Sequence, residues 1–185
     1  MTDSLFFDTD CISAFLWVNG QNILSQLYAG KIIIPKQAYN ELSCPATPHL
    51  KQRIDILVNS GDAQIYDMDI DSEEYKLFIQ MTTNPDDGYK IIGDGEAASI
   101  ALAKEKNGIL ASNNLKDITH YIVKYNLAHV TTGDILVEAM NKNLITETQG
   151  NAIWASMLAK RRKLGAPTFS DYLKRKNNGA VTLQQ

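Results

Sequence analysis

The chain has 185 residues, 44% hydrophobic and 21% charged, which is enough for one filled core and rules out a disordered polyelectrolyte. Its formal net charge of −3 excludes a fold-wide polycation, so any contact with nucleic acid must come from a local patch. No apolar run approaches the ~18 residues of a membrane span, and the opening Met-Thr-Asp-Ser-Leu-Phe-Phe-Asp has no basic, apolar leader pattern. A cytoplasmic protein without membrane attachment is expected. The two cysteines, Cys11 and Cys44, lack the spacing of a zinc site and are expected as buried, reduced thiols.

In chain order, Leu5-Phe6-Phe7 reads as a short apolar strand ending in Asp8-Thr9-Asp10, with a helix over residues 12–17. Ile23, Leu24 and Leu27 space a second helix over residues 21–28, closed by Gly30. Ile32-Ile33-Ile34 is a β-branched strand, stopped by Pro35, and residues 37–42 form a helix. Leu50, Ile54, Leu57 and Val58 mark a helix over 49–58, Gln64-Ile65-Tyr66 a strand, and 72–81 a helix. Asn84-Pro85-Asp86-Asp87-Gly88 is a turn-rich loop. Gly93-Asp94-Gly95 opens an alanine-rich helix over 96–106, and Gly108 starts a strand that stops on Asn113-Asn114. Ile118, Ile122 and Val123 mark a helix, Val130-Thr131-Thr132 a strand, and 135–140 a helix.

This alternation predicts an α/β fold: a mostly parallel sheet with helices on both faces in three layers, over residues 1–145. From about Thr146 the pattern becomes a helical extension over 146–185, bearing Ile153, Trp154, Met157 and Leu158, then a basic tail with a frayed end.

Four acidic residues fall where strand tips gather in such a fold: Asp8, Glu41, Glu96 and Asp117. Carboxylates brought together repel one another, and a hard divalent cation, Mg²⁺ or Mn²⁺, relieves that repulsion. Such a centre can activate water against a phosphodiester. Each residue also has a plainer use. Asp8, Asp10 or Asp94 can cap a helix, Glu96 can complement a helix dipole, and Glu41 can be a solvated helix residue.

Phe6-Phe7-Asp8-Thr9-Asp10, then Ile34-Pro35 with Glu41-Leu42 after five residues, then Gly95-Glu96-Ala97-Ala98, then Ile109-Leu110-Ala111-Ser112-Asn113-Asn114, resembles the PIN-domain nucleases over about residues 4–140. That family includes the ribonuclease toxins of toxin–antitoxin pairs. The resemblance implies a metal-dependent endoribonuclease leaving a 3′-hydroxyl and a 5′-phosphate, with Asp8, Glu41 and Glu96 as ligands of Mg²⁺ or Mn²⁺. It also implies an RNA substrate, a homodimer, and an antitoxin protein whose segment blocks the acidic groove.

The departure is at the fourth acid, where the family often has Asp and this chain has Asn113-Asn114. Asn113 could ligate through its amide oxygen, with Asp117 one turn on restoring the charge; Asn114, Asp10 and Asp94 are secondary candidates. Equally, the pair could simply cap the next helix. Lys160-Arg161-Arg162-Lys163 could grip RNA phosphates or be a solvated helix end. Trp154 and Phe169 could stack bases, though core or interface packing suits them better. His49, His120 and His129 form no nucleophile–base arrangement.

Two other readings remain open at this point. One keeps the fold but makes the chain an inert RNA- or protein-binding module. The other compares Asp8-Thr9-Asp10 and Gly93-Asp94 with haloacid-dehalogenase-type phosphatases, against which Ile12 stands where that pattern prefers Thr or Val.

Overall fold

The computed structural model describes residues 4–86 and 88–182; Asp87, part of the turn-rich loop, and the terminal residues 183–185 lie outside the described residues. Short strands whose every residue is apolar are buried on both faces, and period-two alternation divides them between two cores. In β1 (Leu5–Phe7), Leu5 and Phe7 enter one core and Phe6 the other. In β2 (Ile32–Pro35), Ile32 and Ile34 join the first and Ile33 the second. In β4 (Ile109–Ala111), Ala111 joins the first and Leu110 the second.

With β3 (Ala63–Tyr66) and β5 (Ala128–Val130), these make one five-stranded sheet of order β3-β2-β1-β4-β5, every pair parallel. Helices α1 (Thr9–Trp17), α2 (Gln21–Tyr28), α3 (Lys36–Leu42), α4 (Pro48–Asn59), α8 (Thr132–Asn141), α9 (Glu147–Ala159) and α10 (Phe169–Thr182) feed the first core. Helices α5 (Glu73–Thr83), α6 (Asp94–Glu105) and α7 (Leu115–Tyr125) feed the second. The molecule is therefore the three-layer α/β/α sandwich expected from the alternation.

Three local expectations are corrected. The last strand lies two residues earlier than Val130-Thr131-Thr132, because Thr131 leaves the sheet to cap α8. Its hydroxyl accepts from Asp134 N–H at 3.2 Å, while the Asp134 carboxylate accepts from Thr131 N–H at 2.8 Å. Cys44 is exposed, and only Cys11 is buried. The segment read as a basic tail is α10, anchored by Phe169, which is fully buried; the end expected to fray, residues 183–185, lies outside the described residues.

Trp154 is 1% exposed and donates its indole N–H to Ala166 O at 3.0 Å, so neither it nor Phe169 is free to stack a base or face a partner. Gly150 leaves room for this packing: a Cβ there would lie 2.4 Å from Phe169 Cδ1. Among the described residues, no helix is long and apolar enough to cross a membrane.

Candidate active site

Connections from β1 run to β2 on one side, while β4 pairs with β1 on the other, so the sheet's topological switch lies between β1 and β4. Open parallel sheets bind ligands at the carboxyl ends of strands beside such a switch. There, Asp8 N–H donates to Ala111 O at 3.0 Å, joining the two strand tips. Asp8 is also the N-cap of α1, its Oδ1 accepting from Cys11 N–H at 2.6 Å. Cap and site are the same residue.

Helix α6 brings the second carboxylate. Its alanines let it pack tightly on the sheet, and buried Ser99 docks it, with Oγ 2.9 Å from Phe7 O and 2.8 Å from Gly95 O. Glu96, in the first turn, then faces Asp8.

Six sequence-named residues line one cleft of about 490 Å³: Asp8, Asp10, Glu41, Glu96, Asn114 and Asp117. Burial is the main cause that raises the Asp8 carboxyl from 3.8 to about 7, opposed by hydrogen bonds from Ser112 and Cys11. Burial likewise pushes Glu96 up to about 7, aided by the charges of Asp117, Asp10 and Glu41 and opposed by the Asn114 amide. These two carboxylates carry charge that the protein itself does not offset.

The two asparagines have different tasks. Asn113 turns away from the cleft: its Oδ1 accepts from Thr132 N–H at 2.9 Å and its Nδ2 donates to Thr132 Oγ1 at 2.9 Å. It ties the β4 tip to the start of α8, and its amide oxygen is engaged there. Asn114 faces the cleft, donating from Nδ2 to Asp117 Oδ2 at 2.8 Å and to the Glu96 carboxylate. Asn114 occupies the N-cap position of α7 without a side-chain capping bond, so the capping role expected of the pair is not the one they play.

Glu41 acts as a latch. Its Oε1 accepts from Gly95 N–H at 3.0 Å and its Oε2 from the Thr9 hydroxyl, joining α3 to α6 and α1. Asp94 is exposed, does not line the cleft, and is the first residue of a helix capped by Gly93.

The basic run lies close by. Arg162 forms an ion pair with Asp10 at 3.7 Å, and Arg161, Arg162 and Lys163 share a cavity of about 180 Å³ with Asp10 and Asn113. Lys160 instead sits 5.7 Å from the centre of the Trp17 ring. Sequence reasoning missed Thr9, Ser112, Lys90 and Lys116 at this site; only Lys116, set between Asn114 and Asp117, carried a local signal.

The donor set is entirely oxygen, carboxylates plus the Asn114 carboxamide, which suits Mg²⁺ or Mn²⁺ and not a thiophilic metal. Among the described residues no three acidic, histidine or cysteine side chains stand close enough to enclose an ion as placed. The fit therefore rests on donor chemistry and on the two carboxylates with raised pKa, Asp8 buried and Glu96 half-buried, with side-chain movement needed to draw the ligands together.

A sequence-family model described as a PIN domain matches residues 4–178. No curated protein matches the chain.

Proposed function

The chain belongs to the PIN-domain family, and from that premise we propose that it is a divalent-metal-dependent endoribonuclease, the toxin of a toxin–antitoxin pair. The observation that carries the reading is the pairing of buried Asp8, at the β1 tip, with half-buried Glu96 of α6, each with its pKa raised to about 7, in one cleft at the sheet's switch point. Membership of this family ends the haloacid-dehalogenase comparison.

Asp8, Glu96 and Asp117 would hold Mg²⁺ or Mn²⁺, with Glu41 and Asn114 completing the set. The ion, when bound, supplies the field that acidifies water and offsets charge on a phosphodiester under attack. The chain's own residues do the rest. The Ser112 hydroxyl and Cys11 N–H orient Asp8. The Asn114 amide positions Glu96 and Asp117. Lys90 and Lys116 line the same cleft and offer the anionic backbone of RNA two cations. Arg161, Arg162 and Lys163 extend that grip beyond Asp10.

An antitoxin arginine entering the cleft would pair with the same carboxylates and displace the cation. A homodimer is part of the same proposal.

The test is incubation of purified, inhibitor-free protein with total tRNA and ribosomal RNA in Mn²⁺, Mg²⁺ or chelator, beside Asp8→Ala. Metal-dependent cleavage lost in Asp8→Ala is expected. No cleavage by folded protein in any metal would leave the inert binding module as the better account, with Asn113 and Asn114 as its cause.

A further inference from the structure

Beside the acidic cleft lies a second cavity of about 180 Å³ that shares Lys90, Ile92, Lys116 and Asp117 with it and adds Tyr89 and His120. Tyr89 stacks on His120, ring centres 3.8 Å apart and planes 9° from parallel, yet remains 42% exposed. The loop that carries it is anchored on both sides through Asp86, which accepts from Gln80 Nε2 at 2.9 Å and pairs with Lys124 of α7. A large aromatic ring is thus held in place with much of its surface facing water, an arrangement the fold does not need for its core. Lys90 and Lys116 are exposed and form no ion pair among the described residues.

We propose that this cavity is a nucleotide subsite beside the scissile position, in which an unpaired RNA base stacks on Tyr89 while Lys90 and Lys116 hold its phosphate. Every base has a π-face, so the subsite takes any base, but only one that is not already stacked inside a duplex. His120 backs the platform; its Nε2 is buried and has no hydrogen-bond partner among the described residues, so the ring contributes by stacking. Asp117 marks the boundary with the cleft where cleavage occurs, and its negative charge keeps the phosphate on the lysine side.

This inference rests on the ribonuclease reading, and the test separates the two. A fluorescein-labelled single-stranded RNA octamer is titrated by anisotropy into Asp8→Asn protein, which binds without cutting. Adding Tyr89→Ala is expected to weaken binding about tenfold, the scale of one base–aromatic stack. Tyr89→Phe should stay near the parent value, and a blunt duplex of the same sequence should not respond to Tyr89→Ala. Lys116→Ala should flatten the salt dependence by a slope of about 0.7, one phosphate contact on a single strand.

As an independent readout, a Tyr89→Trp variant should show quenching of the new indole as the octamer binds, after subtraction of the parent signal. If wild-type protein cleaves RNA but Tyr89→Ala binds the octamer unchanged, or Tyr89→Trp is not quenched at saturation, the subsite is wrong and the nuclease stands. If wild-type protein neither cleaves nor binds RNA, both fall together.

Discussion

Replacing Asp8 by Asn should stabilise the metal-free fold while removing activity. Burial raises the Asp8 carboxyl from 3.8 to about 7. The folded state therefore holds the proton more tightly than the unfolded chain does, and stability falls as pH rises from about 4 toward 7, then levels off. A shift of about three units corresponds to a ceiling of about 4 kcal/mol of destabilisation at pH 8. Asparagine removes that charge and keeps an oxygen for Cys11 N–H, but puts an amide N–H2 in place of the other carboxyl oxygen, and a buried donor without an acceptor costs about 2 kcal/mol at any pH. The net expectation at pH 8 in chelator is a gain of about 2 kcal/mol, or a rise in Tm of about 4–8 °C for a chain of this size. At pH 5 the wild-type carboxyl is already protonated in the fold, the penalty shrinks to about 1.6 kcal/mol, and the gain should vanish. Thermal melts of both proteins at pH 8 and pH 5 make the comparison. An Asp8→Asn protein less stable than wild type at pH 8, or a gain independent of pH, would refute the reasoning.

Asn114→Asp replaces an amide that donates to Asp117 and Glu96 with another carboxylate, so it should lower stability in chelator at pH 8 and tighten Mn²⁺ binding; calorimetry with and without metal reads both. Asn113→Asp should instead cost about 1–3 kcal/mol with no gain in metal affinity, since it disturbs the pair of bonds to Thr132. In Gly95→Ala the new Cβ would lie 2.3 Å from Thr9 Oγ1 and 2.9 Å from Glu41 Oε2, so urea unfolding should show a loss of about 1–3 kcal/mol as the latch is forced apart. Trp154→Ala should lose about 3–5 kcal/mol, because its indole fills the core shared with β1 and α1.

Much of the sandwich was legible because it is written in local pattern. Ile32-Ile33-Ile34 has no polar face to give water, so it must be covered on both sides, and the Gly95–Glu96–alanine run can only be a helix packed closely. The cleft's acids were legible for a related reason: each stands at a fixed offset from a strand tip or a helix start. What was not legible depends on partners far along the chain. Thr132, 19 residues beyond Asn113, decides that Asn113 turns inward and leaves the cleft to Asn114. Glu41 latches Gly95 across 54 residues, which no spacing rule anticipates. Arg162 reaches Ser13 across 149 residues, carrying the basic run to the rim beside Asp10. His120 looked idle and Tyr89 drew no reading, because nothing local in the sequence pairs one with the other. The boundary at Thr131 was missed because a β-branched threonine suits a strand and a helix cap equally well.

The central claim is that the cleft gathers a hard divalent cation through Asp8 and Glu96, and calorimetric titration of Mn²⁺ at pH 7 in buffers of different ionisation enthalpy tests it most directly. With both carboxyls near pKa 7, each is about half protonated, so saturable binding should release about one proton in total. Asp8→Asn and Glu96→Gln should each weaken the binding and cut the proton count by about half. Absence of saturable binding at millimolar Mn²⁺, or binding that neither substitution alters, would contradict the account.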